Sequence, residues 1–366
     1  MNYSVDPDIT IAATLDRAFY RDESAYALAR DRVFARTWQW LGGLADVVRP
    51  ESLSPRNALP GLLDEPLLLA RDRAGELRCM SNVCTHRGNI LVHAPCQASQ
   101  IRCGYHSRRF DLAGRMTFMP EFAEARNFPS PADDLPNVPF ATWANHGFAA
   151  LDPLAPFATV FAEMSARLDG IPVGDFVYDP ARDRDYTVHA HWALYVENYL
   201  EGLHIPFVHA ALNEVVDYGS YTSELFRYSS LQLAQAKADV PAFLLPAESS
   251  DFGQRIAAYY WFVFPNLMLN FYPWGLSLNL VTPEAIDRTR IAFRSYVWDD
   301  TKLAAGAGAG LDRVEQEDEA IVQAVQRGVG SRLYRGGRYS PMRERGVHHF
   351  HRLLCEFMAH VPRSIA

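Results

Sequence analysis

The sequence predicts an α+β protein in two main parts. Three observations carry this. Residues 39–152 are short apolar runs punctuated by Gly, Pro, Asn and Asp, the pattern of a small all-β domain. Beyond residue 152, helical stretches at 192–210 and 311–328 flank long strand-like runs without regular βαβ alternation. The 366 residues are enough for two domains, each able to bury its own core.

Along the chain, residues 1–38 read as an N-terminal helical segment, because Leu15, Phe19, Tyr26, Ala29, Val33, Phe34 and Trp38 recur at three- and four-residue spacing. The β-rich part contains the runs Trp40–Val48, Pro66–Ala70, Leu77–Val83, Gln100–Cys103, Phe110–Leu112 and Gly147–Leu151. The larger part, 153–366, opens with a helical pattern from Phe157 to Leu168 and then turns at Gly170, Pro172, Gly174 and Pro180. Residues 256–283 carry no charge, but Pro265, Asn266, Asn270, Pro273 and Asn279 interrupt them. Two or three buried antiparallel strands are expected there rather than a membrane helix. The low-complexity AAGAGAG at 304–310 reads as a flexible surface loop.

Composition excludes several function classes. With 49% hydrophobic and 21% charged residues the chain is not disordered. A net charge of −8 gives no field for holding polyphosphate, so nucleic acid is not an expected partner. Five cysteines do not make a disulfide framework, and MNYSVDPDIT has neither the basic nor the apolar region of a signal peptide. A cytoplasmic protein without membrane attachment is the expectation.

Two residue constellations carry chemistry. The first is Cys84-Thr85-His86 followed, after sixteen residues, by Cys103-Gly104-Tyr105-His106. Two loops, each with a thiolate and an imidazole, can pinch a metal centre, with Gly88 and Gly104 supplying backbone freedom. Cys2His2 suits structural zinc or a Rieske [2Fe–2S] cluster. Zinc modules favour two or more residues between paired ligands, and Cys84 and His86 have one, so the spacing favours the cluster. Cys79, Cys96 and Cys355 fall outside the pattern and read as small buried packing residues. The second constellation is Glu197-Asn198-Tyr199-Leu200-Glu201-Gly202-Leu203-His204-Ile205-Pro206-Phe207-Val208-His209. Histidines five apart diverge by about 140° on a regular helix. Pro206 between them is expected to break the turn and bring both rings to one side. Two imidazoles and a carboxylate form the metal set of non-haem Fe(II) oxygenases. The acidic run Glu315-Gln316-Glu317-Asp318-Glu319 offers the carboxylate, and spacing alone does not separate Asp318 from Glu315 or Glu317.

With these motifs the chain resembles the Rieske non-haem iron oxygenase family, in its catalytic α-subunit. CTHRG at 84–88 matches the first Rieske box, and CGYHSRRF matches the second in part, with Ser107-Arg108 where the family commonly has Gly-Trp. The similarity runs from the N-terminal helix to SRLYRGGRYSPMRERGVHHF near the C-terminus. It implies a Rieske domain plus a catalytic domain of helix-grip (START-like) form, an antiparallel sheet with covering helices. It implies Cys84, His86, Cys103 and His106 as cluster ligands, and His204, His209 and Asp318 as ligands of a mononuclear non-haem Fe(II). Glu201 then bridges the iron site to a Rieske histidine of a neighbouring subunit, and Asn198 and Tyr199 support the ligands. Glu at 201, where the family more often has Asp, resembles relatives acting on choline, betaine and carnitine. Where the family has Asn-Trp-Lys, only Trp192 of His191-Trp192-Ala193 is kept.

The implied activity is reductive use of O2 to hydroxylate or oxidatively dealkylate a small organic substrate such as a quaternary ammonium compound. Tyr259, Tyr260, Trp261, Phe271 and Trp274 are candidates for a cation–π cage or for core packing. Two alternatives are cis-dihydroxylation of an aromatic ring and, outside the class, a zinc-stabilised binding protein without redox activity. No GxGxxG fingerprint occurs, so NAD(P)H acts through a separate flavin/iron–sulfur reductase or ferredoxin. The resemblance also implies a homotrimer or a hexamer.

Overall fold

The computed structural model describes residues 3–360. They form two compact units, one of residues 35–154 and one of 3–34 with 155–360.

The larger unit begins with helix α1 (Glu23–Arg32), whose N-cap Asp22 accepts from the Ser24 amide. The smaller unit is all β. Strands β1 (Gln39–Gly43), β2 (Ser52–Ala58), β3 (Glu65–Arg71), β4 (Leu77–Ser81), β5 (Cys96–Gln97), β6 (Ile101–Arg102), β7 (Arg109–Phe110), β8 (Met116–Phe118), β9 (Phe140–Trp143) and β10 (His146–Ala149) form three antiparallel sheets. Their orders are β4-β3-β2-β5, β6-β7-β8 and β1-β10-β9. Leu53, Leu68, Met80, Ile101, Phe110 and Leu135 form a core that also contains Cys84 and Cys103. The two thiol-bearing loops are thus anchored in the apolar interior.

In the larger unit, helix α2 (Phe157–Arg167) precedes β11 (Val177–Tyr178) and β12 (Arg184–Val188), and α3 (Trp192–Tyr199), α4 (Ile205–Val208) and α5 (Ala210–Val215) follow. Strands β13 (Thr222–Leu225), β14 (Ser229–Gln235), β15 (Ile256–Val263), β16 (Leu267–Tyr272), β17 (Gly275–Ala285) and β18 (Arg288–Val297) lead to helices α6 (Leu311–Val329) and α7 (Arg345–Ala359). The eight-stranded antiparallel sheet runs β11-β18-β17-β16-β15-β14-β13, with β12 also paired to β18.

The uncharged stretch is three successive antiparallel strands, β15 to β17. Every residue of β16 is buried, which explains why polar alternation is weak there. Among the described residues no helix is long and apolar enough to cross a membrane.

Two expectations are corrected. The AAGAGAG stretch is not a solvent loop, because Ala307 is 4% exposed and a Cβ on Gly308 would lie 2.2 Å from Trp274 Nε1. The small residues permit close approach to the Tyr272/Trp274 wall. Of the three spare cysteines, Cys79 is buried as expected and Cys355 is half-buried, but Cys96 is exposed on the short edge strand β5.

Candidate metal centres and cavity

In the smaller unit, two loops of identical hydrogen-bond pattern present the Cys/His pairs. The Cys84 amide donates to the Asn89 carbonyl and the Gly88 amide to the Cys84 carbonyl. The Cys103 amide likewise donates to Arg108, and the Ser107 amide to Cys103. Gly88 and Ser107 are therefore equivalent, and both take left-handed backbone, φ 70° and 61°. Gly104 needs no such freedom. The demanding position is Ser107, where a non-glycine residue in this region costs about 1 kcal/mol.

Cys84 and Cys103 are each 2% exposed, while His86 and His106 are half-buried at the rim. His86 Nδ1 and His106 Nδ1 face each other at 3.2 Å, and Tyr105 stacks on the His106 ring. Burial opposes a Cys103 thiolate, yet the Tyr105 and His106 amides, the Cys84 thiol and the Asn89 side chain bring its pKa down on balance. The donors thus fall into a thiol pair and an imidazole pair. Among the described residues, the four do not converge within 4.8 Å as one ion would need. The pairwise set fits a two-iron cluster with sulfur on one iron and nitrogen on the other, and not a single tetrahedral zinc.

Arg108, unassigned from sequence, is the support for both loops. It is 2% exposed, donating through Nη1 to Thr85 Oγ1 and through Nη2 to Asp133 Oδ1, each at 2.7 Å. Thr85 also donates to the Asp133 carbonyl, and Ser130 caps the same carboxylate. The guanidinium lies 5.4 Å from the Phe128 ring centroid. Both Nη atoms of this buried cation are hydrogen-bonded, while its Nε has no partner among the described residues.

In the larger unit the helix α3 stops at Tyr199, the chain turns through 200–203, and His204 and His209 bracket the single turn α4. Pro206 does not break the turn between the histidines: it sits in the first turn of α4, where its missing amide is not needed, and the helical hydrogen bonds from Val208 to His204 and from His209 to Ile205 are intact. The breaks lie at 200–203 and at His209, and they bring His204 Nε2 and His209 Nε2 to 3.2 Å. Asp318 Oδ1, on α6, lies 3.0 Å from His209 Nε2 and 3.6 Å from His204 Nε2. Helices α3 and α6 are joined by matched pairs one turn apart. The Tyr195 hydroxyl donates to Glu315 Oε2 at 2.7 Å, and Asn198 Nδ2 donates to Asp318 Oδ1 at 2.6 Å.

The far ring nitrogens face carboxylates. Glu201 Oε1 lies 2.5 Å from His204 Nδ1, and Glu317 Oε2 lies 2.8 Å from His209 Nδ1. Such contacts place the proton on Nδ1 and aim both Nε2 lone pairs at one point. The three acids left open by spacing now differ: Asp318 joins the two Nε2 atoms, Glu317 backs His209, and Glu315 turns to Tyr195. Glu315 is 4% exposed, and burial, with Asp318 and Glu319 nearby, pushes its carboxyl up to about 8 against the lowering effect of the Tyr195 hydrogen bond.

A cavity of about 760 Å³, partly open to solvent, adjoins this group. Its sheet wall is a cross-strand row: Gln232 lies opposite Tyr260, and Tyr260 opposite Asn270. Tyr272, two residues on from Asn270, shares that face. Tyr195, Tyr199, Tyr221 and Phe293 complete the aromatic wall, and the Tyr199 hydroxyl donates to Asn270 Oδ1 at 2.7 Å. Of the five aromatics considered from sequence, only Tyr260 lines the cavity. Tyr259 bonds Asp251, Trp261 stacks on Phe226, Trp274 stacks on Tyr272, and Phe271 is core. Period-two alternation from Tyr260 would have found Gln232, Asn270 and Tyr272.

A model of the ring hydroxylating alpha subunit catalytic domain matches residues 175–360, and a model of the Rieske [2Fe-2S] domain matches 44–129. The chain belongs to the ring-hydroxylating α-subunit family. This Rieske oxygenase α-subunit is 28% identical over 372 residues to the chloroplastic choline monooxygenase of Arabidopsis thaliana, covering 95% of the chain and 84% of the relative. It is 27% identical over 363 residues to the carnitine monooxygenase oxygenase subunit of Escherichia coli K12, covering 94% of each. A solved quaternary ammonium Rieske monooxygenase has the same fold, with TM-score 0.76 at 22% identity over 96% of this chain and 97% of that one. Naphthalene 1,2-dioxygenase from Rhodococcus sp. shares it too, with TM-score 0.72 at 18% identity over 94% of each. The α-subunit is therefore an oxidoreductase with a Rieske domain and an oxygenase catalytic domain, which supports a [2Fe–2S] cluster and a non-haem iron.

Proposed function

We propose that this α-subunit is the oxygenase component of a Rieske monooxygenase acting on a quaternary ammonium compound. The observation that carries it is the lining of the cavity beside the His204/His209/Asp318 group. Among the described residues it holds carboxylates and tyrosines and no Lys or Arg. Relatedness over nearly the whole chain to choline and carnitine monooxygenases supports the same reading.

In this reading Cys84 and Cys103 hold one iron of the cluster and His86 and His106 the other. His204, His209 and Asp318 hold the mononuclear Fe(II). When bound, these groups supply stored electrons and reductive activation of O2. The chain's own contribution is positional. Glu201 and Glu317 fix the two imidazoles, Asn198 fixes the Asp318 carboxylate, and the buried sheet face excludes water from the reacting substrate. Glu201 also accepts from the Leu203 and His204 amides, so its carboxylate is held in place independently of any metal. By resemblance it carries the link to a Rieske histidine of a neighbouring subunit in a homotrimer or hexamer. Electrons come from NAD(P)H through a separate reductase, and five free cysteines suit a reducing cytoplasm.

The test is product analysis with the holoprotein, a surrogate reductase, O2 and NADH. Choline or carnitine should be consumed with coupled NADH oxidation. Five tyrosines on the cavity wall favour ring dihydroxylation as a second reading, and turnover of naphthalene or toluene with no turnover of any quaternary amine would establish it instead.

A further inference from the structure

Resting on the reading of Glu201 as the link to a neighbouring subunit, we propose that the start of α7, through Gly346 and Arg343, positions Glu201 for that link. Among the described residues, the hydrogen bonds of the Glu201 carboxylate all lie within its own turn. Its Oε2 accepts from the Leu203 and His204 amides, and its Oε1 lies 2.5 Å from His204 Nδ1. These bonds aim the carboxylate within the turn, and they move with the turn.

The place of the turn is set from outside, on both flanks of Glu201. Before it, the Leu200 carbonyl meets Gly346, which is buried in the first turn of α7; a Cβ there would lie 2.4 Å from Leu200 O. That oxygen belongs to the backbone and has no rotamer to retreat into, so α7 approaches α3 this closely only with no side chain at 346. After it, Gly202 abuts the Tyr221 ring, where a Cβ would lie 2.7 Å from Cε1. Tyr221 is itself held by the start of α7. Arg343 donates through Nη1 to the Tyr221 carbonyl at 3.1 Å, and its guanidinium lies 4.1 Å from the Tyr218 ring centroid. One helix start therefore governs the residue before Glu201 and the wall behind the residue after it.

Helix α3 is fixed independently. Tyr195 and Asn198 tie it to α6, and the Tyr20 hydroxyl donates to Glu197 Oε1 at 2.8 Å, one turn before Glu201. A shift of α7 is thus taken up by residues 200–203, and Glu201 moves. Misplacing a reacting group by about 1 Å costs on the order of 100-fold in rate.

The experiment is single-turnover stopped-flow on the full-length holoprotein. It follows reoxidation of the reduced cluster with O2 and whichever of choline or naphthalene the wild type turns over. Gly346→Ala is expected to keep iron and acid-labile sulfide and to slow reoxidation about tenfold or more. Its crystal structure is expected to show the Glu201–His204 contact lengthened from 2.5 Å. In a Glu201→Gln background the same substitution should change the rate by less than about twofold, because residues acting through one group are not additive. A general loss of stability slows both backgrounds alike. Slowing by the same factor in both backgrounds, a wild-type rate, or loss of mononuclear iron from Gly346→Ala overturns the inference. Where Gly346→Ala does not fold, Arg343→Met decides in its place: slowing of about threefold that Glu201→Gln abolishes is expected, and a wild-type rate overturns the inference. Wild-type reoxidation by Glu201→Gln alone removes the reading on which the inference rests.

Discussion

Glu317 and His209 form a pair in which the carboxylate holds Nδ1 at 2.8 Å while the opposite ring nitrogen faces Asp318. Arg313 steadies Glu317 from one turn earlier on α6. Burial disfavours charge on His209, and the Asp318 and Glu317 carboxylates outweigh it. Glu317→Ala should free the ring and lower mononuclear iron affinity about 10–100-fold. Iron content against acid-labile sulfide checks this, since the cluster should be unaffected.

Glu201→Gln keeps a hydrogen-bonding group at His204 but removes the charge. Both metal centres should remain loaded, and reoxidation of the reduced cluster in a single turnover should slow by about tenfold or more, one such factor being 1.4 kcal/mol of barrier. Stopped-flow absorbance of the cluster reads it directly. Wild-type reoxidation by the variant would remove Glu201 from the electron path.

Arg108→Met removes a buried positive charge that lies beside Thr85, the residue between Cys84 and His86, which are proposed to hold the cluster. The reduced cluster, which carries the extra electron, loses stabilisation, so the midpoint potential should fall. Protein-film voltammetry measures the shift. Asp133 is left without its partner, and the domain should also lose about 3 kcal/mol of stability.

His191 is buried at the start of α3, where its Nδ1 accepts from the Ala193 amide, and burial lowers its pKa to about 3. The unfolded chain takes up a proton below about pH 6.5, whereas the folded one does not until about pH 3. Stability of the catalytic unit should therefore fall as pH drops through that window, by up to about 1.4 kcal/mol per unit from this group. His191→Asn keeps a capping acceptor without the titration. Urea unfolding at pH 7 and pH 5 should show a smaller difference for the variant.

Gly308→Ala places a methyl group 2.2 Å from Trp274 Nε1 and 2.7 Å from Tyr272 Cγ. The wall must shift, at about 1–3 kcal/mol. A lower Tm with weakened substrate binding is expected, because Tyr272 and Ala307 line the cavity.

The metal motifs were legible because their information is one-dimensional: ligand type and spacing survive without a fold. The convergence of His204 and His209 was expected but for the wrong reason, since the breaks lie at 200–203 and at His209 while Pro206 sits in the first turn of α4, where its missing amide is not needed. The division of labour among Glu315, Glu317 and Asp318 was not legible. All three lie within one turn of α6, and only the position of α3 decides which faces a histidine, which backs one and which meets Tyr195. Arg108 was hidden because its partners, Thr85 and Asp133, are 23 and 25 residues away and meet it only when the loops close. The AAGAGAG stretch misled because composition cannot tell a residue kept small for flexibility from one kept small by a neighbouring indole.

Tyr195/Glu315 and Asn198/Asp318 tie the same two helices at the same three-residue interval. Three residues of helix advance about 4.5 Å. Two cross-links at that spacing resist both sliding and rotation of α6 against α3. The placing of Asp318 beside His204 and His209 is thus a property of the helix pair, and loss of the Tyr195/Glu315 link would be felt at Asp318 one turn away.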